Sequence, residues 1–403
     1  MGKKIILTGG GTAGHVTPNI ALLPGLRELG YEIRYIGSID GMEKGLIEAQ
    51  GIPYDGIHTG KFRRYHGKQT IQNADNLLKG LYEASVQRRD IEKLNRQDLH
   101  NVRLGMREAA DLIKTYQPDI VFSKGGYVSV PVVVAAHRAG VPVIIHESDM
   151  TPGLANRLSF SSATKICCNF PETMSMLPPE KAVLSGSPIR HELLCGSREL
   201  GLRFTGLSGK KPVLLMIGGS LGARKLNEVL REALPLLLPE YDIIHLCGRG
   251  NLAPEFSDTE GYVQYEYISK ELKDLFAASD IVFSRAGANA ICELLALQKP
   301  NLLVPLTNKV SRGDQIKNAR SFEKQGFSKV IEEENLTPET LADGLRDLYE
   351  HRKEYSATMD LSTQSSGVEV VLSLIRELAE SAPAEKKRTG KITIKHKEKN
   401  EEK

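Results

Sequence analysis

Residues 5–19 read IILTGGGTAGHVTPN: an apolar run, a turn of three consecutive glycines, and a proline-led helix start. The pattern returns at 120–129, IVFSKGGYVS, and at 213–223, VLLMIGGSLGA. A glycine-rich turn between strand and helix lets backbone N–H groups come close to an anion, and the following helix N-terminus adds partial positive charge. One such turn is common. Two in the first half and one in the second predict a protein that grips phosphates from two lobes.

Outward from these turns, short apolar strands alternate with helical stretches. KKIILTG, YEIRYIG, PYDGIHT, PDIVFSK, PVIIHES and ATKICCN read as strands of the first half. KPVLLMIGG, YDIIHLCG, YVQYEY, DIVFSRA and PNLLVPL read as strands of the second. This alternation signals βαβ units and parallel sheets, so the expectation is α/β with two Rossmann-like domains, the boundary lying in the Pro- and Gly-containing stretch 187–208. The chain length of 403 residues agrees, being too long for one ordinary core. Residues 66–104 interrupt the pattern with polar sequence, in which Leu77, Leu78, Leu81 and Tyr82 would share one helix face. They read as an inserted helical arm, either a plain surface feature or a membrane- or partner-binding segment.

The formal net charge is +3, but the last 20 residues carry eight Lys/Arg and four Asp/Glu, so the other 383 sum to −1. The body has no basic bias pointing to nucleic acid, and the tail is too charged to build a core. Five cysteines with no C-x-x-C spacing read as reduced thiols. The N-terminus runs directly into a strand rather than a signal peptide, and no apolar run reaches the roughly 20 residues that span a bilayer. P-loop and H-E-x-x-H motifs are missing, and so is the D-x-D that holds a nucleotide through a metal.

Gly9–Gly14 matches the dinucleotide pattern G-x-G-x-x-G, but the second strand ends Tyr35-Ile36-Gly37-Ser38 without the expected ribose-binding acid, and Asp40 comes late. His15 follows the loop directly. An imidazole there suits a general base acting on a hydroxyl nucleophile; helix capping or packing is its plainer reading. Glu293, in SRAGANAICE, is placed to accept from a ribose diol, or is an ordinary helix glutamate. Ser220 offers a hydroxyl for a diphosphate or for its own turn. Arg190 reads as an anion contact or a surface residue. Gln315 and Asn318 offer amides to sugar hydroxyls or to loop caps.

Taken together, TGGGTAGHVTP (8–18), SKGGYVSVPVVVAA (123–136), HESDMTPGLANR (146–157), GSPIR (186–190), IGGSLGARKLN (217–227), SRAGANAICE (284–293) and DQIKNAR (314–320) resemble the bacterial MurG family. Its members are the peptidoglycan N-acetylglucosaminyltransferases that act on undecaprenyl-diphospho-N-acetylmuramyl-pentapeptide (lipid I). The motifs fall in the family's order and cover most of 4–375. The resemblance implies the GT-B architecture: an acceptor and membrane-facing domain over 1–187, a UDP-sugar domain over 188–380 whose last helix (VEVVLSLIRELAE, 368–380) crosses back, and a charged tail over 381–403. It implies UDP-N-acetylglucosamine as donor, held by Thr12, Gly14, Arg190, Ser220, Ile268 (backbone to uracil), Glu293 (ribose) and Gln315 (sugar hydroxyls). It assigns the acceptor diphosphate to Gly10, Gly11, Gly14, Gly125, Gly126 and Tyr127, with no metal or other cofactor.

The same resemblance implies inverting transfer to the muramyl 4-hydroxyl, with His15 as base and backbone N–H groups stabilising the leaving diphosphate. It implies a peripheral place on the cytoplasmic face of the cell membrane, beside other cell-wall synthesis proteins. Lys61-Phe62-Arg63-Arg64-Tyr65 has the composition for anionic headgroups; a basic surface loop is the alternative. Three positions depart from the family's pattern: Ala13 where glycine is common, Ser187 where asparagine is usual, and Asp314 where Gln or His is frequent. The last bears on the sugar contact. The competing functions are another UDP-sugar enzyme of the same architecture, such as a lipid glycosyltransferase or a 2-epimerase, and a non-catalytic UDP-sugar-binding subunit.

Overall fold

The computed structural model describes residues 2–60, 98, 100–219, 222–307, 313–362, 364 and 367–381. Ser220, Lys61–Tyr65, the Leu77/Leu78/Leu81/Tyr82 face and the charged tail lie outside them, as does most of the 66–104 insert.

Two parallel sheets form. The first contains β1 (Lys4–Thr8), β2 (Glu32–Ser38), β3 (Tyr54–Ile57), β4 (Ile120–Ser123), β5 (Val143–Glu147), β6 (Lys165–Cys168) and β7 (Ala182–Leu184), in the order β3-β2-β1-β4-β5-β6-β7. The second contains β8 (Val213–Ile217), β9 (Asp242–Leu246), β10 (Tyr262–Tyr265), β11 (Ile281–Ser284), β12 (Asn301–Leu303) and β13 (Lys329–Val330), in the order β10-β9-β8-β11-β12-β13. All eleven strands read from the sequence are present. The two edge strands β7 and β13, three and two residues long, were not read: such short segments carry too little apolar periodicity.

Side-chain alternation along each strand feeds a core on both faces. Ile5 and Leu7 enter one cluster and Ile6 another; Val213 and Leu215 enter one and Leu214 and Met216 another. Burial on both faces is why these strands read as continuous apolar runs. The helix Gly367–Ser381 returns to the first lobe, where Val371, Ile375 and Ala379 join the cluster of Ile5, Leu7, Leu22 and Leu26. Leu372 packs on Gly25, where an added Cβ would lie 2.3 Å from its methyl.

In both sheets strand order reverses beside the first strand, between β1 and β4 and between β8 and β11. Ligands of open parallel sheets bind outside the carboxyl ends at this switch. Registers Thr8↔Ser123 and Ile217↔Ser284 set the turns following these strands side by side. The lobes also touch directly. Asn318 accepts from Met150 N (3.0 Å) and donates to Asp149 Oδ1 (3.0 Å), Ser321 Oγ donates to Glu172 (2.9 Å), and Phe170 meets Phe322 edge-on at 5.8 Å. Four of the cysteines are buried and Cys195 is exposed, all free. Among the described residues no helix is long and apolar enough to cross a membrane.

Candidate active site

The first glycine loop is pinned from beneath. Asn19 Nδ2 reaches the carbonyls of Thr8 (3.3 Å) and His15 (3.2 Å), and Tyr35 Oη donates to Gly9 O at 2.8 Å. Glu43, fully buried, accepts from Ser38 N (3.0 Å), Ser38 Oγ (2.6 Å) and Gly11 N (3.3 Å). A Cβ on Gly10 would lie 2.6 Å from that carboxylate, so only glycine admits Glu43 there. The second loop leans on the first. Gly125 and Gly126 have φ of +88° and +83°, and a Cβ on Gly126 would sit 2.4 Å from Gly10 O. The Tyr127 ring covers Gly11, with Cε1 2.7 Å from the place of a Cβ. Gly10, Gly11, Gly14, Gly125, Gly126 and Tyr127 thus form one contiguous surface.

His15 closes the short 3₁₀ turn Ala13–His15 and is half-buried, its Nδ1 3.0 Å from Thr12 Oγ1. Burial, then the nearby Lys124 ammonium, lowers its pKa to about 4, against opposing contributions from a hydrogen bond with Gly10 and from Glu43. The ring is therefore neutral at pH 7 and free to take a proton. Lys124, 1% exposed, approaches His146 Nδ1 (2.8 Å) and Ser148 Oγ, and burial brings its pKa down to about 8. His146 Nε2 donates to Gly186 O (2.9 Å), which leaves Nδ1 as the acceptor for Lys124. Glu147 organises the rest of HESDMTPGLANR by accepting from Gly153 N (2.9 Å) and Asn156 Nδ2 (2.8 Å).

In the second lobe a cavity of about 100 Å³ is lined by residues including Arg190, Gly219, Leu246, Ile268 and Leu272. Three sequence-separated elements meet here: the segment following β7, the β8 turn and the loop after β10. Arg190 pairs with Glu192 at 2.9 Å, while its Nε is buried without a hydrogen-bond partner. Glu293 lies on the helix Ala288–Ala296; burial raises its pKa to about 7, and the positive Arg190 works against that rise. Gln315, in the first turn of the helix Asp314–Lys324, accepts from Leu306 N at 3.1 Å. Asn318, read as a sugar contact, is engaged in the lobe contact described above.

Among the described residues the two surfaces are joined by a hydrogen bond: Asn289 Nδ2, in the first turn of the Glu293 helix, donates to Gly14 O at 2.9 Å. Arg190, Gly219 and Ile268 gather at one cavity, with Glu293 within electrostatic reach of Arg190, and Gly14 with His15 faces this lobe. Glu43, Asn19, Tyr35, Lys124 and Asn289 were missed. Asn19, Lys124 and Asn289 stand inside the quoted motifs, but the groups that these five residues touch are brought to them by the fold and are not written beside them. Among the described residues no group of three or more His, Cys, Asp and Glu is placed to hold a metal ion.

Residues 5–168 match the glycosyltransferase family 28 N-terminal domain and 213–374 its C-terminal domain. A UDP-N-acetylglucosamine--N-acetylmuramyl-(pentapeptide) pyrophosphoryl-undecaprenol N-acetylglucosamine transferase of Lachnoclostridium phytofermentans is 54% identical over 93% of this chain and 99% of its own. The protein of that name from Clostridium botulinum is 50% identical over the same shares. Among solved structures, Acinetobacter baumannii MurG superposes with a TM-score of 0.67 at 24% identity, over 93% of this chain and 99% of that one. A putative UDP-N-acetylglucosamine 2-epimerase from Listeria monocytogenes reaches 0.61 at 14% identity, over 94% and 97%. These likenesses establish the GT-B fold, which the epimerase shares; the distinction between the two lies in sequence identity. At 50–54% identity over nearly the whole length, with both family 28 domains in order, the chain belongs to the MurG family of glycosyltransferases.

Proposed function

We infer that this chain transfers N-acetylglucosamine from UDP-N-acetylglucosamine to the 4-hydroxyl of the muramyl sugar of lipid I, giving lipid II and UDP. The observation that carries the reading at the level of the site is the Asn289–Gly14 contact, which brings the helix of Glu293 against the turn of His15. A donor held on the second lobe and a hydroxyl held on the first then meet beside a neutral imidazole.

In this reading the domains divide near residue 187, and the acceptor diphosphate lies on Gly10, Gly11, Gly14 and Gly125–Tyr127. His15 takes the proton of the attacking hydroxyl as the bond to the anomeric carbon forms. UDP leaves from the opposite face, so configuration inverts. Glu293 binds the ribose diol, Ile268 presents backbone groups to uracil, and Arg190, Ser220 and the backbone of Thr12 and Gly14 take the donor's diphosphate. Gln315 serves the sugar hydroxyls. Fixed N–H groups and a helix N-terminus carry the leaving-group charge without a metal. The lipid-anchored acceptor places the protein peripherally on the cytoplasmic membrane face, with the 61–82 region as the contact, near other cell-wall synthesis proteins.

The test is a transferase assay with UDP-N-acetylglucosamine, a soluble lipid I analogue and a panel of other UDP-sugars. UDP release is expected only with both substrates and with preference for N-acetylglucosamine. Release without acceptor, epimerised donor, or donor binding with no transfer would each sink the reading. Flotation with anionic and neutral liposomes tests the membrane contact; no binding to either removes it.

A further inference from the structure

We propose that Asn289 is a positioning residue that sets the His15 turn from across the cleft, so that the donor lobe determines where the base stands. The inference rests on the transferase reading above. Its first support is geometric. Asn289 Nδ2 donates to Gly14 O at 2.9 Å, and Gly14 is the residue immediately before His15. A Cβ on Gly14 would come within 2.6 Å of that same nitrogen, with the next nearest side-chain atom, Thr12 Oγ1, at 3.7 Å. Asn289 is thus the only close neighbour of that face of Gly14 among the described residues. Its own helix holds Glu293 one turn later, so any adjustment of that helix on donor binding reaches the His15 turn through one side chain.

The second support is energetic. Asn289 Oδ1 is buried without a hydrogen-bond partner. An unsatisfied buried acceptor is a cost to the folded state, so packing alone does not account for an asparagine here. The carboxamide's N–H toward Gly14 is what the position supplies. Thr12 Oγ1 then meets His15 Nδ1 at 3.0 Å, so the short turn holds the ring from its other side.

The experiment compares four variants by steady-state kinetics and thermal denaturation in the full chain. Asn289→Ala should lower kcat by about tenfold to 100-fold, the scale of a misplaced catalytic group. The KM for UDP-N-acetylglucosamine should move far less, because the ribose contact is intact. Its Tm should stay near that of the parent, whereas a merely structural role predicts a clear loss of Tm. Asn289→Asp, nearly isosteric but without an N–H donor, should lose kcat as severely as Asn289→Ala. Gly14 does not have a positive φ, so alanine is sterically limited there only by Asn289. Gly14→Ala alone should therefore be impaired, and the double variant Gly14→Ala/Asn289→Ala should be no worse than Asn289→Ala. Wild-type kcat in Asn289→Ala or Asn289→Asp, or losses that multiply in the double variant, overturns the proposal. A parent protein that transfers nothing overturns the transferase reading instead.

Discussion

The glycine turns of the two lobes are built alike and prepared differently. In the first lobe the turns after β1 and β4 close on each other, and their N–H groups are partly spoken for: Gly11 donates to Glu43 (3.3 Å) and Gly125 to Ser123 Oγ (3.2 Å). In the second lobe the turn after β8 borders an open cavity, where Arg190 Nε is buried without a partner. The first site is prepared by fixing loop shape and keeping His15 neutral. The second is prepared by leaving polar capacity unfilled. Similar local sequence signatures therefore mark two differently prepared sites, which the proposed function reads as one that orients a nucleophile and one that binds a nucleotide.

That contrast is open to test. The largest expected effect is on the first lobe: His15→Ala should lower kcat by at least about 100-fold, as for loss of a general base, with donor KM little changed. A near-parental kcat would remove His15 from that role and leave the first lobe a binding surface only. On the second lobe, Glu293→Ala should raise the KM for UDP-N-acetylglucosamine by about tenfold to 100-fold, the value of a charged hydrogen bond. An unchanged KM contradicts the ribose contact.

A pH profile separates the two lobes without mutation. Glu293 has its pKa raised to about 7 in the free protein, so below that pH its carboxyl is protonated and loses acceptor capacity. Donor binding favours the ionised form, so kcat/KM for the donor should fall as pH drops through 7, by up to about tenfold per unit. His15, lowered to about 4, stays neutral across this range and adds no limb at its ordinary 6.5. If Glu293→Gln keeps the limb near 7, another group causes it and the assignment fails.

The smallest effect concerns the scaffold of the first loop. Glu43→Ala strands the buried Ser38 N–H and hydroxyl, at a cost of about 1–3 kcal/mol per buried group, and frees the exposed Gly11 N–H. Thermal denaturation should register a fall of several degrees, with weaker acceptor use; an unchanged Tm would mean the loop holds its shape without the carboxylate.

Much of this was legible in the sequence. The apolar strands, the glycine turns and His15 at a helix start are local signals, each contained within a dozen residues. They sufficed for two parallel α/β lobes, and the seven ordered motifs pointed to the family that the relatives at 50–54% identity establish. The edge strands β7 and β13 escaped because two or three residues have no readable period. The lobe contact of Asn318 lies outside both local readings, sugar contact and loop cap, for another reason. A polar side chain beside a sugar-binding motif looks like a ligand contact until the opposite lobe brings Asp149 and Met150 to it.

By itself the sequence determined which segments become strands, where the backbone must lack a Cβ, and which titratable groups stand beside those turns. Backbone propensity and side-chain periodicity act over short distances and are written in consecutive residues. Only the tertiary structure decided what those groups experience. The pKa of His15 depends on Lys124 and on burial, the Gly11 N–H on Glu43, and the approach of the lobes on Asn289 and Gly14, which are 275 positions apart. Electrostatics and hydrogen bonding act through space, and the spacing of those partners exists only once both sheets have formed and their carboxyl ends face each other.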